Sequence, residues 1–247
     1  MVLKLVPDKR IGRVIYFTEG QVDEPVLLKG IFHDVLHYEA GSGGPPFVFR
    51  KPGDPYSQVY VAPMPSSAIK HIPGDEEFLD RVYGTLRQYG LEKDEAAVYY
   101  LYDRDPQSNK AEAVKEKIRL LKNPLDNGIE LPGALLLSYP CLQAFYCQAN
   151  DIEISFSKSK EAKKFANKNN LKSLDESKLC AAGSNMLSTL ELLRKKAFSI
   201  DELSDYSRMN EEVFDAEEKN REKTDGCYLT LSLLAISLLD LGILALG

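Results

Sequence analysis

The chain has 247 residues, of which 44% are hydrophobic, so it is long enough to bury a substantial core. Its formal net charge of −6 argues against a broad basic surface for nucleic acid, although it leaves room for a local basic groove or a substrate bridged by a metal ion. The four cysteines form no C-x-x-C pair, and the N-terminus lacks the basic start and apolar stretch of a signal peptide. We therefore expect free thiols and a reducing, cytoplasmic location.

The first part of the chain alternates between apolar runs and patterns of helical spacing. Residues 13–18 predict a buried strand, and the apolar residues that follow, up to Leu36, recur at the spacing of a helix. A stretch rich in glycine and proline comes next and contains the short strand patterns FVF and QVYVA. A second helix is predicted from Asp75 onward, on the apolar residues Phe78, Leu79, Val82, Leu86 and Tyr89.

Two further apolar runs, AAVYYLY at 96–102 and GALLLSYP at 133–140, predict buried strands. Each precedes a predicted helix, and the first of these helices places Val114, Ile118 and Leu121 on one face. Strands separated by helices imply parallel pairing. The sequence therefore predicts an α/β fold, with a mainly parallel sheet flanked by helices over residues 1–150.

The composition changes from Ser157 onward to lysine, glutamate, asparagine and serine. Apolar residues that step by three or four predict an amphipathic helix over 175–196. We expect a helical C-terminal subdomain over 151–247, in which the charged residues form solvated faces.

The C-terminal stretch CYLTLSLLAISLLDLGILALG carries Asp240 as its one charged side chain. About 20 apolar residues can span a bilayer, so a membrane anchor is one interpretation. However, an aspartate near the bilayer centre costs about 2.5–3.5 kcal/mol, and no basic cluster follows it. We predict instead a buried helix, in the core or at a dimer interface, and no membrane association.

Acidic residues follow two of the predicted strands. Glu19 comes directly after residues 13–18, and Asp103 and Asp105 follow AAVYYLY. Because parallel strands end at the same edge of a sheet, we expect these carboxylates to lie close together, with Arg104 pointing away from them. Clustered carboxylates raise one another's pKa unless a cation neutralises them, and their oxygens suit Mg²⁺ or Mn²⁺.

Each acidic motif also has a structural interpretation. Asp105 followed by Pro106 is typical of a helix that begins with an N-cap and a proline. Glu19 with Gly20 is compatible with a simple turn. The occurrence of both motifs in one α/β pattern favours a metal site.

The stretches VIYFTEGQVDEPVLL and VYYLYDRDP resemble the Toprim fold of topoisomerases, DnaG-type primases and OLD-type nucleases, whose signature is a glutamate after the first strand and Asp-x-Asp after a later one. A closer similarity is to the bacterial RloB-like Toprim proteins. That similarity rests on Glu19, Gly20, Glu24 and Pro25 and on a later proline-cysteine segment, here SYPCLQAF. It covers about residues 11–150.

The resemblance implies a metal-dependent nuclease, acting on DNA or RNA (including transfer RNA) in bacterial anti-phage defence beside an ATPase partner. Glu19, Asp103 and Asp105 would be the catalytic residues and would hold Mg²⁺ or Mn²⁺. Asp23 and Glu24 would supply a second metal position, although their charge also suits a helix N-terminus.

Three further residues complete the expected site. Arg104 and Lys110 would face the phosphate backbone, with a solvated surface as the alternative. Gln143 stands where the related pattern has a glutamate, and an amide cannot act as a general base. Gln143 would therefore contact substrate, or the chain is a catalytically silent Toprim module that binds or regulates its partner.

Other motifs are incomplete. His33 and His37 have the spacing of a zinc-binding helix, but no convincing third ligand is present. GSGGPP lacks the Lys-Ser/Thr pair of a phosphate loop, and Ser138 lacks the glycines of a nucleophile elbow. Cys141 is expected in the core. The chain also lacks the zinc-ribbon cysteines of a primase and a recognisable nucleophilic tyrosine of a topoisomerase.

Overall fold

The computed structural model describes residues 2–64, 69, 84, 87–88, 90, 96–125 and 133–247. They form a mixed, mostly parallel sheet flanked by helices, which confirms the predicted α/β class. The strands are β1 (Leu3–Leu5), β2 (Arg13–Thr18), β3 (Glu39–Ala40), β4 (Phe47–Arg50), β5 (Gln58–Pro63), β6 (Ala96–Asp103), β7 (Lys122–Asn123), β8 (Gly133–Tyr139), β9 (Ser155–Phe156), β10 (Tyr228–Leu229), β11 (Leu231–Ser232) and β12 (Leu244–Leu246).

The helices lie between and after the strands of the sheet. They are α1 (Asp23–Lys29), which continues as a π-helical turn over Gly30–Val35, α2 (Ala111–Leu120), α3 (Gln143–Ala149), α4 (Ser159–Lys168), α5 (Glu176–Arg194), α6 (Tyr206–Lys223), which follows a 3-10 turn over Ile200–Asp205, and α7 (Leu234–Asp240). The predicted helix over 175–196 is confirmed as α5, where the Asp175 side chain accepts a hydrogen bond from the Lys178 backbone N–H. The residues on which a helix after Asp75 was predicted lie outside the described residues.

The central sheet has the strand order β11-β8-β6-β2-β5-β4-β3, and β7 pairs with β8. Strands β5, β2, β6 and β8 are parallel, whereas the outer pairings are antiparallel. Every residue of β6 and β8 is buried, as expected for strands covered on both faces. The carboxyl ends of four parallel strands therefore meet at one edge of the sheet.

The apolar C-terminal stretch is buried, but the prediction that it forms a single helix is wrong. It contains the strands β10, β11 and β12 with the short helix α7 between them. The Tyr16 hydroxyl lies 2.8 Å from Ser237 Oγ, and the Tyr99 hydroxyl donates to Asp240 Oδ2 at 2.5 Å, so these two polar groups of α7 have partners on the strands β2 and β6. Among the described residues, no helix is both long enough and apolar enough to cross a membrane.

The C-terminal part of the chain also completes structure in the first part. Strand β11 extends the central sheet by pairing with β8, and β12 pairs with β1 at the N-terminus. The division at residue 150 stays a prediction, and these pairings tie the two parts together.

Gly133, the first residue of β8, is expected to tolerate no side chain. Its φ is +147°, and an added Cβ would overlap the ring of Tyr100. We expect Gly133→Ala to lower the free energy of unfolding by about 1–3 kcal/mol, measured by denaturant titration. Gly44→Ala, where an added Cβ meets nothing within 4 Å, is the matched control and should stay within about 0.5 kcal/mol. Equal stabilities of the two variants would contradict this prediction.

Candidate functional site

The candidate site lies where the parallel strands β2, β6 and β8 end. Glu19 directly follows β2, and its backbone N–H donates to the Leu101 carbonyl of β6 at 3.1 Å. Asp103 is the last residue of β6 and lies in register with Ser138 of β8. The short apolar strands thus bring acidic positions that are 84 residues apart to one edge.

The structure brings Glu19 and Asp103 into direct contact. The Asp103 backbone N–H donates to Glu19 Oε2 at 2.7 Å, and Asp103 Oδ1 in turn accepts from the Leu142 backbone N–H at 2.7 Å. These two bonds join the segments that follow β2, β6 and β8. They also leave the second oxygen of each carboxylate without a hydrogen-bond donor among the described residues.

Glu24, in the first turn of α1, lies against the same segment. It is buried, and a Cβ on Gly20 would overlap its Oε2. A glycine directly after Glu19 therefore lets the Glu24 carboxylate approach the backbone closely. Asp23 instead faces two lysines, with Oδ2 at 3.6 Å from Lys163 Nζ and Oδ1 at 3.4 Å from Lys172 Nζ.

The carboxylates at this edge hold more negative charge than their surroundings compensate. Burial, together with the charges of Glu24 and Asp105, raises the pKa of Glu19 to about 7, although the Asp103 N–H and Lys163 oppose this shift. Burial and the charges of Glu19 and Glu24 raise the pKa of Asp103 well above its usual range. The pKa of Glu24 is also raised, chiefly by burial. A bound cation would favour the ionised form of all three groups.

Asp105 lies near the pair but has local partners. Its side chain accepts hydrogen bonds from the Gln107 backbone N–H at 3.2 Å and from Ser108 Oγ at 2.8 Å. It therefore shapes a turn and acts on Glu19 through its charge. The alternative in which Asp105 caps a helix beginning at Pro106 is wrong, because α2 begins at Ala111.

The prediction that Arg104 faces a phosphate backbone, or solvent, is wrong. The side chain is 2% exposed, and its Nε donates to Glu218 Oε1 at 2.8 Å while Nη1 donates to the Asn109 carbonyl at 2.7 Å. Its guanidinium also lies 5.3 Å from the ring centre of Phe214. As predicted, Arg104 points away from Asp103, but it points into the core. Lys110, in contrast, is exposed at the start of α2.

Gln143 is the first residue of α3 and lies next to Leu142, which holds Asp103. It is 1% exposed, and its Oε1 has no hydrogen-bond donor among the described residues. Its predicted contact with substrate stays a prediction. Cys141 is buried, and burial raises the pKa of its thiol, which agrees with a place in the core.

Lys163, on α4, is the functional candidate that the sequence interpretation missed. Burial opposes its charged form, but Asp103, Asp23 and Glu24 raise its pKa overall. Its side chain is half-exposed beside Asp23. The sequence shows only a lysine-rich segment there, and nothing in its spacing separates Lys163 from lysines that form a solvated face.

The histidine pair does not form a zinc-binding helix face, in agreement with the expectation that the motif is incomplete. The helical turn ends at Val35, and His37 has a φ of +59° outside it. His33 Nδ1 instead lies 2.8 Å from the Tyr38 carbonyl oxygen. In the part of the chain that the structure describes, no group of three or more His, Cys, Asp or Glu side chains is arranged to hold a metal ion.

The donor set nevertheless suits one kind of metal. Mg²⁺ keeps several water molecules and is commonly bound by one or two carboxylates together with substrate phosphates. Glu19 and Asp103 supply two carboxylates whose raised pKa values a cation would lower. The site therefore fits a magnesium ion shared with a substrate better than a closed cage of protein ligands. Comparisons of the chain with protein-family models, curated proteins and solved structures gave no match.

Proposed function

We propose that the protein is a metal-dependent nuclease that hydrolyses phosphodiester bonds of DNA or RNA, with Mg²⁺ or Mn²⁺ at the carboxyl edge of the sheet. The observation that supports this most directly is the hydrogen bond from the Asp103 backbone to Glu19, because it joins the acidic ends of two parallel strands. The resemblance to RloB-like Toprim proteins agrees with this reaction class and adds a role in anti-phage defence beside an ATPase partner.

Glu19 and Asp103 are the residues that would hold the ion, each through the oxygen that accepts no hydrogen bond from a described residue. A divalent ion at this edge would neutralise phosphate charge and lower the pKa of a bound water. Asp105 adds negative charge from its turn, and the buried Glu24 could provide a second metal position with Asp23.

The remaining residues of the site would act on the substrate. Lys163 offers a half-exposed ammonium group next to Asp23, where it could meet a phosphate oxygen. Lys110 is exposed and follows Asp105 closely in the sequence. It is a second candidate for contact with the phosphate backbone of the substrate. The acidic chain as a whole repels nucleic acid, so the metal and these lysines would have to provide the attraction.

The test compares cleavage of plasmid DNA, single-stranded DNA and transfer RNA with Mg²⁺ or Mn²⁺ present. Glu19→Gln removes a charge yet keeps an acceptor for the Asp103 N–H, so we expect it to fold and to lose activity by about 100-fold or more. Asp103→Asn should act in the same direction. Glu39→Gln, on the exposed edge strand β3, is the matched control and should cleave like the wild type.

Binding of Mn²⁺, followed by calorimetry, separates the proposal from its alternative. Weaker binding by Glu19→Gln than by Glu39→Gln is expected, whether or not a partner protein is needed for cleavage. Measurable and equal cleavage by the two variants, or measurable and equal Mn²⁺ binding by them, would contradict the nuclease site. A wild-type protein that neither binds Mn²⁺ nor cleaves would favour a catalytically silent module that regulates a partner ATPase, an alternative consistent with the lack of a three-ligand group in the described residues.

A further inference from the structure

Lys163, on α4, lies between the two segments that carry the carboxylates of the candidate site. Its Nζ is 3.6 Å from Oδ2 of Asp23, in the first turn of α1. Ser159 lies one turn earlier on the same face of α4, and its carbonyl accepts a hydrogen bond from the Cys141 thiol at 3.7 Å. The backbone N–H that follows Cys141 in the chain holds Asp103. Lys163 is therefore placed between the start of α1 and the segment that holds Asp103.

The charge of Lys163 acts on three carboxylates at this edge of the sheet. Burial raises the pKa values of Glu19, Glu24 and Asp103, and Lys163 opposes the rise in each case. Burial likewise opposes the charged form of Lys163, but the neighbouring carboxylates raise its pKa overall. The ammonium group thus supplies part of the positive charge that the carboxylates need while no divalent ion is bound.

Lys163 is held only weakly in this place. Its side chain is 48% exposed, and its distance to Asp23 exceeds the length of a charge-assisted hydrogen bond, about 2.7–2.9 Å. Asp23 also has a second cationic partner, because Lys172 Nζ lies 3.4 Å from its Oδ1. Half-exposed ion pairs of this kind add little to stability. Loss of the contact between Lys163 and Asp23 therefore leaves neither group buried without a partner.

A divalent ion would compete with this ammonium group for the same carboxylates. An ion held by Glu19 and Asp103 would feel the positive charge of Lys163, and like charges repel each other. The exposure of Lys163 lets salt weaken the repulsion without removing it at low ionic strength. The affinity for the ion should therefore be lower than the two carboxylates alone would give.

We propose that Lys163 is an exchangeable counter-ion of the carboxylate site, which competes with the divalent ion and keeps metal binding weak in the free protein. This role rests on the proposed function, because it takes a metal site at Glu19 and Asp103 as its premise. It is a role in the metal-free protein, where the lysine reduces the mutual repulsion of the carboxylates, and it is separate from contact with a substrate phosphate.

The test measures Mn²⁺ binding to the full chain by calorimetry. One mildly alkaline pH is used throughout, because protons compete with the ion for carboxylates of raised pKa. Lys163→Met removes the charge and keeps an apolar stem, and we expect it to bind Mn²⁺ about three- to tenfold more tightly than the wild type. Lys163→Arg keeps the charge and should stay within about twofold of the wild type. Lys168→Met, at an exposed position later on α4, is the matched control and should also do so.

Salt separates the effect of charge from an effect of packing. The gain in affinity of Lys163→Met should shrink when KCl is raised from about 0.1 M to about 1 M, since the Debye length falls from about 10 Å to about 3 Å. A gain of the same size at both concentrations would overturn the proposal, because it would identify a change in packing.

Two further outcomes distinguish this role from the metal site itself. Equal or weaker Mn²⁺ binding by Lys163→Met, with Glu19→Gln still impaired relative to the wild type, would overturn the role of Lys163 and leave the metal site intact. Absence of Mn²⁺ binding by both the wild type and Lys163→Met would overturn the two proposals together, because the carboxylates would then hold no ion even without the competing charge.

Discussion

Replacing Arg104 with alanine is expected to lower the free energy of unfolding by about 3–5 kcal/mol. The change removes a guanidinium that is 2% exposed, leaves Glu218 without its ion-pair partner and leaves the Asn109 carbonyl without this donor. It also opens a cavity beside Phe214 and Tyr228, whose rings face the guanidinium. Urea denaturation followed by circular dichroism measures the effect.

Two variants separate charge and packing from a general effect of losing an arginine. Arg104→Lys keeps the charge but not the forked donor geometry, so it should recover part of the loss. Arg119→Ala removes an arginine whose side chain is 62% exposed and whose partner, Glu211, lies 2.7 Å away on the surface. That control should cost at most about 1 kcal/mol. A stability of Arg104→Ala equal to that of Arg119→Ala would show that the buried network does not stabilise the fold.

The prediction of the fold depended on pattern length and side-chain type. Runs such as AAVYYLY and GALLLSYP are too short for typical helices and rich in β-forming residues, and both form fully buried strands. The secondary structure of the C-terminal stretch was harder to predict, because a run in which nearly every residue is apolar suits either a buried helix or a buried strand. Tertiary pairing with β8 and β1 decides it there, and such pairing leaves no local signal in the sequence.

The part of the candidate site that depends on strand geometry could be predicted from the sequence. Parallel strands place Glu19 and the end of β6 at one edge, and the sequence indicates both positions. Which carboxylate then turns inward depends on backbone donors. The Asp103 carboxylate is held by Leu142, whereas Asp105 is held by its own turn. These contacts arise from loops whose conformations the sequence pattern does not specify.

The positions of Arg104 and Lys163 also could not be predicted from the sequence pattern. Arginine is rarely buried without a partner, so its position in an exposed-looking DRD motif favoured the surface. Its partner Glu218 lies 114 residues later, on α6. Lys163 looks like any other lysine of its segment until α4 packs beside Asp23. Long-range charge pairing decided both positions, and a single sequence does not reveal it.

Glu217 on α6 leads to a second prediction, in which one amide substitution stabilises the protein at alkaline pH. The side chain is fully buried; its Oε2 accepts from the Leu229 backbone N–H at 3.2 Å, and its Oε1 has no donor among the described residues. Burial, reinforced by the charge of Glu218, raises its pKa to about 8 from an ordinary value near 4.5. The native state therefore holds a proton that the unfolded chain releases at lower pH.

A raised native pKa gives a contribution to stability that is complete below about pH 4.5 and is lost as the pH rises through 8. Since one pKa unit corresponds to about 1.4 kcal/mol, the loss has an upper limit of about 5 kcal/mol. Glu217→Gln keeps an acceptor for Leu229 and does not ionise. We expect it to match the wild type near pH 5 and to be more stable by about 2–5 kcal/mol near pH 9.

Denaturant titrations at both pH values test this expectation, with Glu222→Gln as the control on an exposed position of the same helix. The control should change stability by less than about 0.5 kcal/mol at either pH. A Glu217→Gln variant whose advantage is the same at pH 5 and pH 9, or that is less stable than the wild type at pH 9, would mean that Glu217 is ionised and compensated in the native state. In that case Arg221, whose buried Nε also has no acceptor among the described residues, would be the first candidate for its partner, and Arg221→Met should then mimic the loss.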